Sequence, residues 1–429
     1  MTSTTGRASL ARPRPYASPD VAMLGGTVRY VGKAQSAVTE LTADDFASHR
    51  RRYGPRPHTL ANAGSDLIAA LDAVNLTGRG GGHFPVAAKW RAVRAAGSRA
   101  VVVANGAEGE PLSGKDAALL ELRPHLVLDG LACAAEALGA DDCVVWLHEG
   151  ADTALRSVSR ALLERRAAGL IEPAVRIEVG PDRYISGESS AIVRALSGGP
   201  ALPLYRRPPT AVSGVDGRPT LVQNVETLAR VGLAARDCDL AARSTLITVA
   251  TTGQRVVLEV DESTPVRQAV AAAIGATIPQ AVLVGGYGGI WAPWSAVADV
   301  PLTERHLRAH GVSLGAGILL PLAADSCGIL RTAEIADFMA NSSARQCGSC
   351  VFGLRAVADL LLDLADGQSK RRDPARLKRF LAEIDGRGGC HHPDGVVKMV
   401  ASATTTFNAD VKAHLSGRCV LRRSRSSRG

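Results

Sequence analysis

Short apolar runs that alternate with helical patterns characterise the first half of the chain. The run at 100–104 is apolar throughout and short, which is typical of a buried parallel strand. Further strands are predicted at 143–147 and 175–179, with a helix over about 151–168 between them. This β-α-β rhythm predicts an α/β fold with a parallel, Rossmann-like sheet.

The pattern changes near residue 244 and again near residue 328. The first change begins a β-β-α-β order, with strands at 245–251, 255–260 and 281–284 and a helix at 265–274. It indicates a small α+β domain. Beyond the second change the pattern is helical, at 332–345, 348–366, 373–385 and 404–415. These helices predict a C-terminal helical bundle.

These changes predict a division of the chain into five parts. They are a disordered N-terminal segment 1–20, an α/β domain 21–243, an α+β domain 244–327, a helical bundle 328–415 and a basic disordered tail 416–429.

Composition narrows the class of protein. A chain of 429 residues with 46% hydrophobic and 21% charged residues is typical of a globular protein of several domains. The net charge of +9 comes largely from arginines near the two ends, so the middle is close to neutral. This balance, with aromatic residues at only 4%, argues against a nucleic-acid-binding body.

Hydropathy and cysteine usage predict the compartment. No apolar run reaches about 18 residues, so we expect no membrane span. The N-terminal arginines precede no apolar segment, so we expect no signal peptide. Eight cysteines without a secretion signal indicate a reducing compartment, and we predict a cytoplasmic location.

A glycine-rich stretch at 78–85 is the strongest single candidate for a ligand site. Glycine lets backbone N–H groups approach a ligand, and the neighbouring Arg79 and Lys89 favour an anion such as a phosphate. His83 breaks the frame of a dinucleotide fingerprint, and no Gly-Lys-Ser/Thr of a Walker loop follows. Taken alone, the stretch is also compatible with a flexible surface loop.

The turn after strand 100–104 carries polar side chains at the carboxyl end of a predicted strand. It holds Asn105, Glu108 and Glu110, at a position where open α/β sheets bind ligands. Taken alone, the two glutamates are also compatible with a solvated turn. Ser113 and Asp116 predict a capping box for the helix that follows.

Three cysteines form a candidate metal or redox site. Cys347 and Cys350 have CxxC spacing and Cys390 follows 40 residues later, which suits zinc, an iron–sulfur cluster or a redox dithiol. A helix rather than a strand precedes the pair, which argues against a thioredoxin-like motif. His391 or His392 is available as a fourth ligand. Three buried cysteines without metal remain a further alternative.

Five sequence blocks in one order, across about 60–420, resemble the flavoprotein subunit of respiratory complex I and the related diaphorase subunits of NAD-dependent hydrogenases and formate dehydrogenases. The blocks are the glycine stretch with Lys89-Trp90, the turn from Asn105, Tyr184-Ile185-Ser186-Gly187-Glu188, Gly217 to Leu228, and the cysteines. The resemblance implies an FMN-binding Rossmann-like domain, a ubiquitin-like SLBB domain and a helical bundle that holds a [4Fe–4S] cluster.

The resemblance also implies site residues. Those implied to bind FMN are Gly78, Arg79, Gly80, Gly81, Phe84, Lys89, Asn105, Tyr184, Gly187, Glu188, Asn224 and Thr227. Glu108 and Glu110 are implied to face the reacting rings, and Cys347, Cys350 and Cys390 to hold the cluster.

Several positions depart from the family pattern. His83 replaces a small residue beside the flavin, Ala107 an acid, Ser189 a glutamate and Gln223 an asparagine. Ala92 and Pro209 stand where the family has aromatics that stack on the adenine of NADH. The loss of each implies about 1–3 kcal/mol less aromatic contact. Gly353 replaces the third cluster cysteine, which leaves a cluster with a non-cysteine ligand, a three-iron cluster or no cluster open.

The implied activity is electron transfer. In the family, NAD(P)H gives a hydride to FMN, and single electrons then pass through the cluster to a protein acceptor, here a ferredoxin-like or other iron–sulfur subunit. One alternative is a flavin subunit that a ferredoxin reduces without NADH. Another is a structural subunit that has lost its cofactors.

Overall fold

The computed structural model describes residues 23–24, 27–31, 37–38, 41–57, 63–97, 99–205, 208–242 and 244–419. The segment 1–20, predicted to be disordered, lies outside these residues. Of the predicted tail 416–429, only 416–419 are described, and they form the turn after the last helix. No helix in the described ranges is long and apolar enough to cross a membrane.

The described residues form eleven strands and seventeen α-helices. The strands are β1 Val28–Val31, β2 Ala37–Val38, β3 Val101–Asn105, β4 Asp142–His148, β5 Val175–Gly180, β6 Thr220–Asn224, β7 Ser244–Thr251, β8 Gln254–Asp261, β9 Pro279–Val284, β10 Ile290–Pro293 and β11 Ile318–Ala323. The first nine helices are α1 Phe46–Tyr53, α2 Ala63–Ala73, α3 Val86–Ala95, α4 Lys115–Leu122, α5 Pro124–Leu138, α6 Asp152–Ala167, α7 Ser189–Leu196, α8 Val225–Ala234 and α9 Cys238–Ala242. The others are α10 Val266–Ile274, α11 Trp294–Val297, α12 Glu304–Ala309, α13 Gly328–Asn341, α14 Arg355–Ala365, α15 Asp373–Ile384, α16 His392–Thr406 and α17 Asn408–Leu415.

A four-stranded parallel sheet in the order β5-β4-β3-β6 forms the centre of the first half of the chain. The side chains of β3 alternate between two faces, since Val102 and Ala104 join one apolar core and Val101 and Val103 join another. Helices cover both faces, which explains why the first four residues of β3 are all apolar and buried. The Rossmann-like prediction is therefore confirmed.

Helices α5 and α8 cross in close contact beneath this sheet. A Cβ atom at Gly130 would lie 1.8 Å from the carbonyl oxygen of Leu228. Only glycine permits that approach, so the crossing fixes α8 against the sheet. This packing matters because the first residues of α8 belong to the candidate site.

A seven-stranded sheet in the order β10-β9-β11-β7-β8-β1-β2 forms the second layer. Its antiparallel β7–β8 hairpin and helix α10 agree with the predicted β-β-α-β order. Strand β1, which precedes the predicted boundary at 243/244, also pairs with β8 in this sheet. The division into domains stays a prediction.

The C-terminal helices pack around one apolar core as a bundle. The sequence predicted one helix at 404–415, whereas the structure has α16 at His392–Thr406 and α17 at Asn408–Leu415. Gly395 and a proline in the first turn obscured α16. That glycine is required by packing, because a Cβ there would lie 3.0 Å from the Cα of Gly288.

Candidate functional site

The carboxyl ends of β3 and β6 form the candidate site. The chain runs from β3 outward through β4 and β5, and then returns to place β6 on the other side of β3. Open α/β sheets bind ligands in the crevice where the strand order reverses in this way. The last residues of the two strands, Asn105 and Asn224, lie side by side in the register.

The glycine-rich stretch folds over this crevice as a closed loop. The amide of Gly78 donates to the carbonyl of Phe84 at 2.9 Å, which joins the two ends of the loop. The amide of Arg79 donates to Oγ1 of Thr227 at 2.9 Å, so the loop is attached to the start of α8. A Cβ at Gly80 would lie 3.4 Å from the Cβ of Asn224. The loop is thus an ordered wall of the crevice, and the flexible-loop alternative does not hold.

Three other loop positions complete the description of the loop. Gly81 has φ = 100° and His83 has φ = 47°, so both have left-handed backbone. Phe84 is 59% exposed.

Lys89 on α3 brings a buried positive charge to the end of β6. Its Nζ donates to the carbonyl of Val222, and no carboxylate of the described residues pairs with it. Burial lowers the pKa of Lys89 to about 8. A buried ammonium without a counter-ion is costly, and a bound anion would stabilise it.

Arg79 is a second, partly buried cation close to the start of α8. Burial, and then the charge of Arg230, lower the pKa of Arg79 to about 10, although Glu226 and two other glutamates act in the opposite direction. Its Nε is buried and has no hydrogen-bond partner among the described residues. Arg79 and Lys89 therefore both bring positive charge to this part of the site, and of the two only Arg79 has carboxylates that offset it.

Asn224 and Thr227 form the start of α8. Oδ1 of Asn224 accepts from the amides of Glu226 at 3.0 Å and Thr227 at 3.4 Å, which makes Asn224 the N-cap. Its Nδ2 donates to Asp116 at 2.6 Å. Both residues therefore have structural partners, and their positions at a helix N-terminus also suit a phosphate.

A buried ionic network supports this corner. Lys115 contacts Asp116 at 2.7 Å and Glu226 at 3.1 Å, and Arg230 contacts Glu226 at 3.2 Å. Burial by itself would raise the pKa of Glu226, but the positive charges of Lys115 and Arg230 lower it to about 2. The network holds α4 against α8. Sequence reasoning missed it, because lysine and arginine within helices usually indicate solvent-exposed positions.

Glu108 caps a helix. Its Oε1 accepts from the amide of Asp116 at 3.1 Å and from the hydroxyl of Ser113, and its Oε2 accepts from the amide of Ala117 at 3.1 Å. The predicted capping box of Ser113 and Asp116 is therefore wrong. A longer side chain from the preceding turn supplies the cap, and Asp116 is buried in the ionic network instead.

Glu110 joins three parts of the chain. Its Oε2 accepts from the hydroxyl of Tyr184 at 3.2 Å and from the amide of Tyr287 at 2.9 Å. Its Oε1 is buried and has no partner among the described residues. Burial raises the pKa of Glu110 to about 7. Of the two predicted acids, Glu110 is thus the one that can exchange a proton near neutral pH.

The turn after β3 and the loop before α7 are held together. Nδ2 of Asn105 donates to the carbonyl of Gly187 at 2.9 Å. A Cβ at Gly187 would lie 2.8 Å from the carbonyl oxygen of Ala107, so the contact requires glycine. Glu188 is the N-cap of α7, accepting from the amides of Ser190 at 2.8 Å and Ala191 at 3.0 Å.

The departures from the family pattern also have structural roles. Nε2 of His83 donates to the carbonyl of Gly315 at 2.9 Å, which ties the glycine loop to the second layer. Burial lowers the pKa of His83, so the ring is neutral at pH 7. Ala92 and Pro209 are both exposed and carry no ring. Neither position therefore offers an aromatic ring for stacking, as the sequence implied.

Cys347, Cys350 and Cys390 lie together at the start of the bundle. Cys347 lies just before a π-helical turn, Ser349–Leu354, Cys350 lies within that turn, and Cys390 lies in the loop before α16. Burial by itself would raise the pKa of the Cys347 thiol. The backbone amides of Gly389 and Cys350 donate to its sulfur, and they lower this pKa below its usual value. Amide donors around a thiolate are typical of iron–sulfur sites.

Gly353 stands at the position of the third cluster cysteine. A Cβ at Gly353 would lie 2.7 Å from Cγ1 of Ile384, so a larger side chain there would require Ile384 to move. Of the two predicted alternatives, His391 is fully exposed and contacts Asp394 at 3.2 Å. Nε2 of His392 donates to the carbonyl of Met339 at 2.9 Å.

Sequence reasoning missed two side chains near these cysteines. The buried hydroxyl of Ser343 lies beside Cys350. A Cβ at Gly389 would lie 3.4 Å from the ring of Tyr205, which is itself 62% exposed. Neither residue has a spacing signal in the sequence, because both reach the site from other segments.

Two family models match the chain in the regions just described. The model of the Nuo51 FMN-binding domain matches residues 71–233. The model of the NADH-ubiquinone oxidoreductase-F iron-sulfur binding region matches residues 331–414. The chain therefore contains an FMN-binding domain and an iron–sulfur binding region of the kinds that these two models describe. The two matches confirm the resemblance seen in the sequence.

Relatives in this family share about a quarter of their residues with the chain. It is 28% identical over 409 residues to the F-type subunit of the NADH-quinone oxidoreductase of Streptomyces coelicolor, covering 88% of the chain and 89% of the relative. It is 25% identical over 401 residues to NADP-reducing hydrogenase subunit HndC of Solidesulfovibrio fructosivorans, covering 87% of the chain and 80% of the relative.

Solved structures give the same fold. An NAD⁺-reducing [NiFe]-hydrogenase in its H₂-reduced state matches with a TM-score of 0.75 and 26% identity over 82% of this chain. The match spans only 62% of that longer hydrogenase chain. The air-oxidised form matches with a TM-score of 0.76 at 24% identity, which supports the fold alone.

Proposed function

We propose that this chain is the FMN- and cluster-carrying subunit of a multi-subunit oxidoreductase that accepts electrons from a reduced pyridine nucleotide. The observation that carries the proposal is the pair of partly buried cations, Arg79 and Lys89, at the topological switch point of the parallel sheet. A phosphate-bearing cofactor would give Lys89 the counter-ion that it lacks among the described residues. FMN carries such a phosphate, and the matched family domain binds FMN.

The residues around the crevice fit a flavin nucleotide. Lys89 and the N-terminus of α8 at Asn224 and Thr227 would hold the phosphate. The loop glycines Gly78, Gly80 and Gly81 would let the backbone approach the ligand. Bound FMN would accept electrons in pairs and release them singly.

The turn beside the crevice would orient the reacting part of the ligand. Asn105 and Gly187 fix its backbone, and Tyr184 donates to Glu110. Glu188 and Glu108 act as helix caps, so we assign them positioning roles rather than contact with substrate. Glu110, whose pKa burial raises to about 7, is the residue we propose to hold or release a proton there.

The three cysteines fit a cluster. Cys347, Cys350 and Cys390 would supply three thiolates, and amide donors already surround the first of them. A bound cluster would carry single electrons away from the flavin. Tyr184 lies edge-on to His392 with ring centroids 5.3 Å apart, so the flavin-side turn and the cluster-side helix are in direct contact.

Two further proposals concern the partner and the location. The relatives are named as subunits of larger oxidoreductases and hydrogenases, and we propose a ferredoxin-like subunit as the electron acceptor. We propose a cytoplasmic location on the cysteine usage described above. Because Ala92 and Pro209 have no aromatic ring, we expect weaker nucleotide binding than in relatives that have aromatic residues at these positions.

The test is an anaerobic titration of the FMN-loaded full chain with NADH and with NADPH. Loss of flavin absorbance with either nucleotide, followed by a cluster EPR signal, is expected. If neither nucleotide reduces the flavin but reduced ferredoxin does, electron flow in the opposite direction replaces this proposal. A protein that binds neither FMN nor iron would support a structural role instead.

A further inference from the structure

A second cysteine–histidine cluster lies at the far end of the bundle. It consists of Cys327, His414 and Cys419, whose ligand atoms all lie within 4.8 Å of one another. Cys327 and His414 are buried and Cys419 is partly buried. None of them is implied as a ligand of the iron–sulfur cluster. We propose that these three residues bind a structural Zn²⁺ ion, a role that does not depend on the proposed electron transfer.

The first contact has the geometry of two ligands on one metal. Sγ of Cys327 lies 3.2 Å from Nε2 of His414. With Zn–S and Zn–N bonds of about 2.3 and 2.0 Å, two ligand atoms on a tetrahedral zinc ion are about 3.5 Å apart. The observed distance is close to that value. Two thiolates and one imidazole also form a ligand set that zinc prefers.

Each ligand is held by a defined piece of backbone. Cys327 is the N-cap of α13, and its sulfur accepts from the amide of Leu330 at 3.4 Å. The next residue, Gly328, lies directly against the ring of Phe407, where a Cβ would come within 2.4 Å. That contact fixes the start of α13 against the junction of α16 and α17. The position of Cys327 relative to His414 is therefore set by packing and not by chance.

A turn returns Cys419 to the cluster. Helix α17 ends in a Schellman motif, in which the amide of Gly417 donates to His414 at 2.9 Å and the amide of Arg418 donates to Ala413 at 3.0 Å. Gly417 has φ = 70°, which a glycine adopts without strain. The chain reverses there, and the reversal brings a thiol to a histidine five positions earlier.

A carboxylate lies next to the proposed site. Asp410 is one helical turn before His414 on α17, and its carboxylate accepts from the amide of Gly328. The carboxylate and the imidazole are close enough to interact electrostatically, and a nearby negative charge would favour a bound cation. Water would complete the tetrahedron. The ion would join the N-terminus of α13 to the last turn of the described chain and close the bundle.

The experiment measures zinc and iron by mass spectrometry on the purified full chain after exhaustive dialysis. We expect close to one zinc ion per chain in the wild type. Cys419→Ser and His414→Gln should lose the zinc and keep the iron. Cys390→Ser should lose iron and keep zinc, and Cys238→Ser, a thiol of α9, should change neither.

A second readout covers the case in which His414→Gln does not fold. Cobalt(II) added to zinc-free wild type should give the visible bands of a tetrahedral cobalt–thiolate site, and Cys419→Ser, close to the chain end, should remove them. Zinc that depends on Cys390 rather than Cys419 would overturn the proposal. So would wild-type protein without zinc, or a Cys327–Cys419 disulfide found by alkylation and peptide mapping.

Discussion

Replacement of Lys89 by methionine separates the folding role of this residue from its ligand role. Burial lowers the pKa of Lys89 from 10.5 to about 8. One pKa unit corresponds to about 1.4 kcal/mol, so the charged ammonium destabilises the FMN-free protein by about 3 kcal/mol. Methionine has a similar length and no charge. Lys89→Met should therefore stabilise the FMN-free protein at pH 7 by a large part of that amount.

The cost of the charged Lys89 should also appear in how the stability of the FMN-free protein changes with pH. The unfolded chain keeps a lysine pKa near 10.5, whereas the folded FMN-free protein loses this proton at about 8. Between these values the unfolded state binds more protons, so the free energy of unfolding rises with pH. Lys89→Met should lack this contribution to the rise.

Lys89→Met should have the opposite effect on FMN binding, which it should weaken. A hydrogen bond to a charged group contributes about 1.5–3 kcal/mol, so loss of the Lys89–phosphate contact should weaken FMN binding roughly 10- to 150-fold. The predicted variant is thus more stable without FMN and poorer at binding it.

Two assays on the full chain test this prediction. Urea denaturation of the FMN-free protein from pH 7 to pH 10 gives the stability, and quenching of flavin fluorescence gives the FMN affinity. Lys398→Met, at an exposed position of α16, is the matched control and should change neither. A variant that is less stable without FMN and binds FMN normally would refute the reasoning.

Three further predictions concern single side chains. Glu108→Ala should cost about 1–2 kcal/mol of stability through loss of the α4 cap, measured by thermal unfolding; an unchanged melting temperature with lost nucleotide oxidation would favour a catalytic role instead. Because burial raises the pKa of Glu110 to about 7, its contribution to wild-type stability should fall as pH rises from about 4.5 to about 7, and Glu110→Gln should lack that fall. An identical pH profile in both proteins would contradict this. Gly353→Cys combined with Ile384→Ala should give the EPR signal of a four-cysteine cluster, whereas Gly353→Cys alone should be destabilised by the clash; equal stability of the two variants would show that Ile384 moves freely.

The sequence predicts the sheet well because its signal is local. Strand β3 is apolar up to its last residue since helices cover both faces, and this pattern is visible in the five consecutive apolar residues 100–104. The sequence signal of the glycine loop is also local, because its glycines lie within a few positions of each other. The order of the β7, β8, α10 and β9 elements follows from alternation and turn residues that lie within a few positions of each other.

The roles of the acids could not be predicted, because they depend on contacts between distant segments. Glu108 and Glu110 are two positions apart and have the same chemistry. One caps α4, and the other is buried against Tyr184 and the amide of Tyr287, a residue 177 positions away. Only the fold decides which role each of the two takes. The same holds for Cys327 and His414, which are 87 positions apart.

The pairing of β1 with β8 has a consequence for synthesis on the ribosome. The amide of Met23 donates to Glu259, 236 positions later, in the segment that leads into this pairing. At about 5–20 residues per second, the N-terminal segment waits roughly 10–50 s for its partner to be made. During that time the backbone of β1 lacks its β8 partner. The segment at 23–31 therefore reaches its native place only after β8 has been made, and a chaperone that covers it in the interval would raise the yield of folded protein.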